Sequence, residues 1–67
     1  MRYTFYGLTV TTDDFRHYNV SKPEGTFLGT IFQLRDDKDK VLGFVVDDGR
    51  MVSTLPGAAN LYNEKVP

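Results

Sequence analysis

The stretch that most constrains this chain is Val41 to Leu55, VLGFVVDDGRMVSTL, two runs rich in β-branched and large apolar residues joined by Asp48-Gly49. An Asp-Gly pair between such runs signals a hairpin, because glycine accepts the positive φ of a tight turn and aspartate tolerates it. Treated as a two-residue loop, it sets Asp47 opposite Arg50, Val46 opposite Met51, Phe44 opposite Ser53 and Leu42 opposite Leu55. Side chains alternate along a strand, so Leu42, Phe44, Val46, Met51 and Leu55 are expected on one face and Val41, Val45 and Val52 on the other. Both sets are apolar. A half-solvated antiparallel sheet would carry polar residues in the second set, so the hairpin is expected to be covered on both sides, by closure of a small barrel or by a partner chain. A helix in this stretch, or bare Val41, Val45 and Val52 in a lone monomer, would remove the barrel and the binding-module reading together.

Sixty-seven residues make one β-rich domain, 1–67, since so short a chain has no room for two cores. A domain of this size buries only ~60% of its unfolded surface, and no disulfide or zinc-binding thiolate staples it, because the chain has no cysteine. Oligomerisation or docking on a partner is therefore an expected source of extra burial. Eight lysines and arginines against nine aspartates and glutamates, evenly spread, argue against a basic nucleic-acid surface and equally against an acidic DNA mimic. RYTFYGLTV after Met1 has no apolar signal-peptide core, and no run approaches the ~20 apolar residues of a membrane span. The default reading is a soluble cytoplasmic protein.

Along the chain, Arg2 to Thr11 reads as one strand whose alternation changes phase at Tyr6-Gly7, where a bulge is expected to curve it. Thr12-Asp13-Asp14 ends that strand and is expected to cap a helical turn carrying Phe15 and Tyr18 on one side. Pro23 and Gly25 stop it, so residues 12 to 25 form one long connection. Thr26 to Arg35 reads as a second strand, with Leu28, Phe32 and Leu34 on one face and Phe27 and Ile31 on the other. Asp36 to Lys40 is a charged loop. Beyond Pro56-Gly57, residues 56 to 66 suit either a short helical turn or a final edge strand.

That order of parts is similar to the SH3-like barrel. The resemblance implies a mainly β fold, a small five-stranded antiparallel barrel or strongly curved sheet with a long first loop over residues 12–25, a second over 36–40, a distal hairpin at Asp48-Gly49 and a short helical turn. No Ala-Leu-Tyr-Asp-Tyr stretch follows the first strand and no tryptophan is present, so binding of proline motifs is not carried over. The competing architecture is a twisted antiparallel sheet packed on one short helix.

Little suggests catalysis. His17, the only histidine, lies beside Arg16 and Tyr18 and reads as a surface residue. Asp36, Asp37 and Asp39 invite a calcium reading, but counting from Asp37 puts Leu42 and Asp48 where an EF-hand needs glycine and glutamate, and Lys38 and Lys40 offset the charge. No phosphate-binding glycine motif or nucleophile elbow occurs. No cofactor and no metal are expected.

The remaining cue is aromatic groups next to cations, Arg2-Tyr3 with Phe5-Tyr6 and Phe15-Arg16-His17-Tyr18. Such groups are what protein interfaces select, and small barrels also stack single-stranded nucleic acid on them. The leading expectation is a non-enzymatic module that binds another protein, as a small adaptor or inhibitor does, and pairs with its own copy as well. Its size is also that of many phage-encoded host-takeover proteins. The residues expected to touch the partner are Tyr6, Phe15, Arg16, His17 and Tyr18 with Val45 or Val52. The alternative is a small β-barrel that binds single-stranded nucleic acid.

Overall fold

In the computed structural model, which describes residues 1–63, six strands form one antiparallel sheet and a single helix lies against it. The strands are β1 (Arg2–Phe5), β2 (Leu8–Thr11), β3 (His17–Ser21), β4 (Phe27–Arg35), β5 (Val41–Val45) and β6 (Met51–Val52), followed by α1 (Leu55–Asn63). Spatial order equals chain order, so every connection is a hairpin and β1 and β6 are edges. The sheet is not closed.

Tyr6 and Gly7 both take positive φ, 53° and 77°, the backbone of a two-residue hairpin turn. The expected single strand with a bulge is therefore two strands folded on each other, with Tyr3 opposite Val10 and Phe5 opposite Leu8. The expected long loop over residues 12–25 is corrected in the same way, because it contains β3. Its first part reverses the chain without a helical turn. The Phe15 N–H donates to Thr12 Oγ1 at 2.9 Å, and the Arg16 and His17 N–H groups both donate to Asp14 Oδ1 at 2.9 Å. Side chains of this kind offer backbone donors an alternative to helical bonding.

Three further hairpins end alike. In Lys22–Thr26, Asp36–Lys40 and Val46–Arg50 the first N–H donates to the fifth carbonyl at 2.8–2.9 Å, and the fourth N–H to the first carbonyl at 2.9–3.0 Å. The fourth residue is left-handed each time: Gly25 (φ 102°), Asp39 (φ 63°) and Gly49 (φ 93°). This is a three-residue loop, a turn followed by a bulge. The Asp48-Gly49 hairpin accordingly pairs Val45 with Met51 and Phe44 with Val52, one position away from the two-residue register. A one-residue slip exchanges faces, so Phe44 and Val52 now share one side and Val45 and Met51 the other. Arg50 binds Asp48 rather than Asp47 in the turn, with Nε donating to Oδ2 at 2.8 Å.

Helix α1 starts where Thr54 caps it: the Gly57 N–H donates to Thr54 Oγ1 at 3.1 Å and the Ala58 N–H to the Thr54 carbonyl at 3.0 Å. Pro56 in the first turn gives up a donor that has no helical partner anyway. The choice between helical turn and edge strand is thus settled as helix through Asn63, and the remaining residues of that stretch, 64–66, lie outside the described ones. Ala58, Ala59 and Tyr62 face the sheet and are fully buried. Directly opposed strand residues share a face, which places Tyr3, Val10, Val20 and Gly29 in one row under the helix, Tyr18 beside Ile31, and Phe44 beside Val52. Leu8, Val10, Tyr18, Val20, Ile31, Phe44 and Val46 complete the buried core with the helix residues.

The described residues cover only one side of the sheet. Val41 is exposed and Val45 half-buried, so the small barrel does not form, and six strands stand where five are expected. The chain adopts the competing architecture, an antiparallel sheet on one short helix. The physical reason lies at the two ends: neither edge reaches the other, and α1 supplies the second layer that closure would have supplied.

Candidate interaction face

The face opposite the helix is read off the register. His17 stands opposite Phe32, Phe32 opposite Val45, and Val45 opposite Met51, giving one unbroken row across β3, β4, β5 and β6. Leu34 lies two positions along β4, opposite Gly43. A Cβ on Gly43 would come within 3.2 Å of Met51 Cγ, so the Met51 side chain fills the space that glycine leaves. Phe32, Leu34 and Met51 are 43%, 40% and 58% exposed, an apolar cluster in solvent. A second row, Arg2, Thr11, Asn19 and Thr30, and a third, Thr4, Thr9, Ser21 and the 61% exposed Phe27, cover the other half of the face.

Two properties follow. No side chain on this face is buried, from Arg2 on β1 to Met51 on β6. Nor does it carry any lysine, aspartate or glutamate; its ionisable groups are Arg2 and His17. Most charges of the described residues gather in the turns at either end of the sheet, where Arg35 Nη1 donates to Asp39 Oδ1 at 3.0 Å and Arg50 pairs with Asp48.

His17 is held. Its Nδ1 lies 2.7 Å from Asp14 Oδ2, and its ring meets Phe32 edge-on at 5.0 Å between centroids. The hydrogen bond to the His17 side chain, joined by the His17 and Arg16 amides, draws the Asp14 carboxyl well below the ordinary carboxylate range. This pins the 12–16 turn against the end of the apolar row.

The residues expected to touch a partner are divided by the fold. His17 and Val45 lie in the same cross-strand row. Phe15, 44% exposed and left-handed at φ 59°, and Arg16 precede His17 in the turn at its margin, with the Arg16 carbonyl accepting the Gln33 N–H at 2.8 Å. Tyr6 is 59% exposed at the tip of the β1–β2 hairpin, well separated in the sheet from that row. Tyr18 does have a core role: it is 4% exposed, its ring meets Phe44 edge-on at 6.0 Å, and its hydroxyl donates to the Phe15 carbonyl at 3.3 Å. Val52 packs against the core under the helix.

Phe32, Leu34 and Met51 were not readable as site residues. A two-residue loop puts Met51 on the same side as Phe44, and only the three-residue loop moves it across. The available signal was Ile31, the β-branched apolar residue of β4, whose burial sets Phe32 and Leu34 on the opposite side.

The described residues form no pocket, so the candidate site is an open face rather than a cleft, and among them no group of three or more His, Asp or Glu is placed to hold a metal ion. No described helix is long and apolar enough to cross a membrane. Fold and face together define a class: an open six-stranded antiparallel meander, helix on one side, a sheet surface without lysine, aspartate or glutamate on the other. Comparison with protein-family models, with curated proteins and with solved structures finds no match.

Proposed function

We propose that this chain is a non-enzymatic protein-binding module that acts in the cytoplasm by laying its charge-poor sheet face on the surface of another protein, as a small adaptor or inhibitor does. The route to this reading no longer runs through a barrel. One observation carries it: the row His17, Phe32, Val45 and Met51, with Leu34 beside it, forms a solvated apolar cluster on a face without lysine, aspartate or glutamate. Depletion of charge with retention of aromatic and methionine side chains is the composition of interface centres. A cluster of exposed large apolar groups is also costly to leave in water unless something covers it. Phe15 and Arg16 supply the rim, and Tyr18 and Val52 drop out because the core uses them.

The test compares affinity capture by the tagged wild-type chain with capture by Phe32→Ser and Met51→Lys, both checked for folding by circular dichroism. The expected result is a protein captured by the wild type and lost with both variants. Retention of the same protein by both folded variants overturns the assignment. An oligonucleotide retarded in a gel, with affinity falling steeply as salt rises, would overturn it in favour of single-stranded nucleic-acid binding.

A further inference from the structure

We infer that the occupant of this face, in the absence of another protein, is a second copy of the chain: two sheets packed face to face about a twofold axis, with the helices outside. The inference rests on the reading of the face as a docking surface and names what docks there first.

Three features single out a second copy. The first is area. The molecule measures 38 × 23 × 15 Å along its principal axes. One sheet and one helix layer, stacked about 10 Å apart, account for the shortest axis, so the bare face spans the other two. A face of those dimensions is of the order of the ~800 Å² that each partner contributes to an interface of standard size.

The second is self-complementarity. A twofold interface sets the same patch against itself, so each group must be able to meet its own kind. Phe32, Leu34, Val45 and Met51 can do so as apolar groups. Thr4, Thr9, Thr11, Ser21 and Thr30 can do so because a hydroxyl is both donor and acceptor. Lysine, aspartate and glutamate cannot, and they are the residues the face lacks. Arg2 sits on the edge strand β1, and His17 already has Asp14 as its partner.

The third is charge at long range. A formal net charge of −1 leaves little repulsion between identical chains. A core of one sheet side and one helix also leaves a 67-residue chain short of burial, to which a sandwich would add.

The test is sedimentation equilibrium or light scattering over micromolar to millimolar concentrations on the wild type, Met51→Lys and Thr9→Lys, with circular dichroism on each. Met51 lies in the apolar half of the face and Thr9 in the polar half, so the loss of folding in one leaves the other to decide. The wild-type mass is expected to rise with concentration from 7.6 kDa towards twice that value. Each folded variant should weaken association at least about tenfold, because the twofold brings two like charges into the interface. A wild type that stays at 7.6 kDa throughout overturns the inference. So does a dimer indifferent to both lysines, which would be joined elsewhere, for example along the β1 edge. The two readings fail separately. A monomeric wild type whose captured protein is lost with Met51→Lys removes the second copy and keeps the docking face. A lysine-sensitive dimer whose captured protein survives both Phe32→Ser and Met51→Lys removes the docked protein and keeps the second copy.

Discussion

The phenol of Tyr62 ties the helix to the sheet. Its hydroxyl donates to the Thr30 carbonyl at 3.0 Å and accepts from the Asp47 N–H at 3.4 Å, with the ring fully buried over Gly29. Glycine is required at position 29 for closeness rather than for a special φ. A Cβ there would lie 2.6 Å from Tyr62 Cε1 and 2.9 Å from the hydroxyl, and would also collide with the Asp47 carboxylate. Gly29→Ala should therefore destabilise the fold by roughly 1–3 kcal/mol through overpacking, and Tyr62→Phe by roughly 1–2 kcal/mol through the lost hydrogen bond, both measured by urea unfolding. Burial pushes the Tyr62 hydroxyl up to about 12 from an ordinary value of 10.0. The folded state thus holds the proton more tightly than the unfolded state, and the associated stability is complete below pH 10 and lost as pH rises through about 12. Urea midpoints between those two pH values should fall less steeply in Tyr62→Phe than in the wild type. Tyr18, also raised by burial, adds to the slope in the same direction. Neither dependence was legible in the sequence, where Tyr62 stands ten residues beyond Val52, the end of β6, and thirty-three beyond Gly29.

At the scale of elements, hairpins decide most of the architecture, and their chemistry was partly legible. Asp48-Gly49 announced a turn and a turn is there. Its loop length was not announced, because Val46, Asp47 and Asp48 suit either a two-residue or a three-residue loop, and the choice falls to burial. The longer loop turns Phe44 and Val52 towards α1 and leaves Val45 and Met51 outside. Tyr6-Gly7 was harder to read, since tyrosine rarely takes the φ of 53° it adopts. The segment after Thr12 differs from the expected helical turn because two side-chain acceptors, Thr12 Oγ1 and Asp14 Oδ1, rather than a helical ladder, satisfy its amides. The shared three-residue loop makes a prediction that belongs to these elements. Gly49→Ala places a Cβ in a left-handed position with open space around it, so its cost is conformational, about 1–2 kcal/mol in thermal or urea unfolding. Asp39 already occupies the equivalent position without glycine, so Asp39→Gly should change stability far less: relief of backbone strain is offset by the lost bond from Arg35.

For the whole molecule, the governing fact is a two-layer fold with one layer of helix and an uncovered sheet surface. A chain of this size buries a modest core, and each further apolar group removed from water contributes at ~25 cal/mol per Å². If the bare face is covered by a second copy, folding and association are linked, and the unfolding midpoint should rise with protein concentration. Differential scanning calorimetry at two concentrations a hundredfold apart should show that rise in the wild type and a concentration-independent midpoint in Met51→Lys.

The sequence by itself determined a small, mainly β chain with a hairpin at Asp48-Gly49, both sides of which are apolar, because strand alternation and turn chemistry are local properties. Only the tertiary structure decided which of those sides is core. That choice depends on where α1 lands, on Gly29 admitting the Tyr62 ring, and on a single-residue register in one loop, and each of these is settled by contacts between residues far apart in the chain. The row from His17 to Met51 exists on one face for the same reason: its four members come from four strands, and nothing local to any one of them places it beside the others.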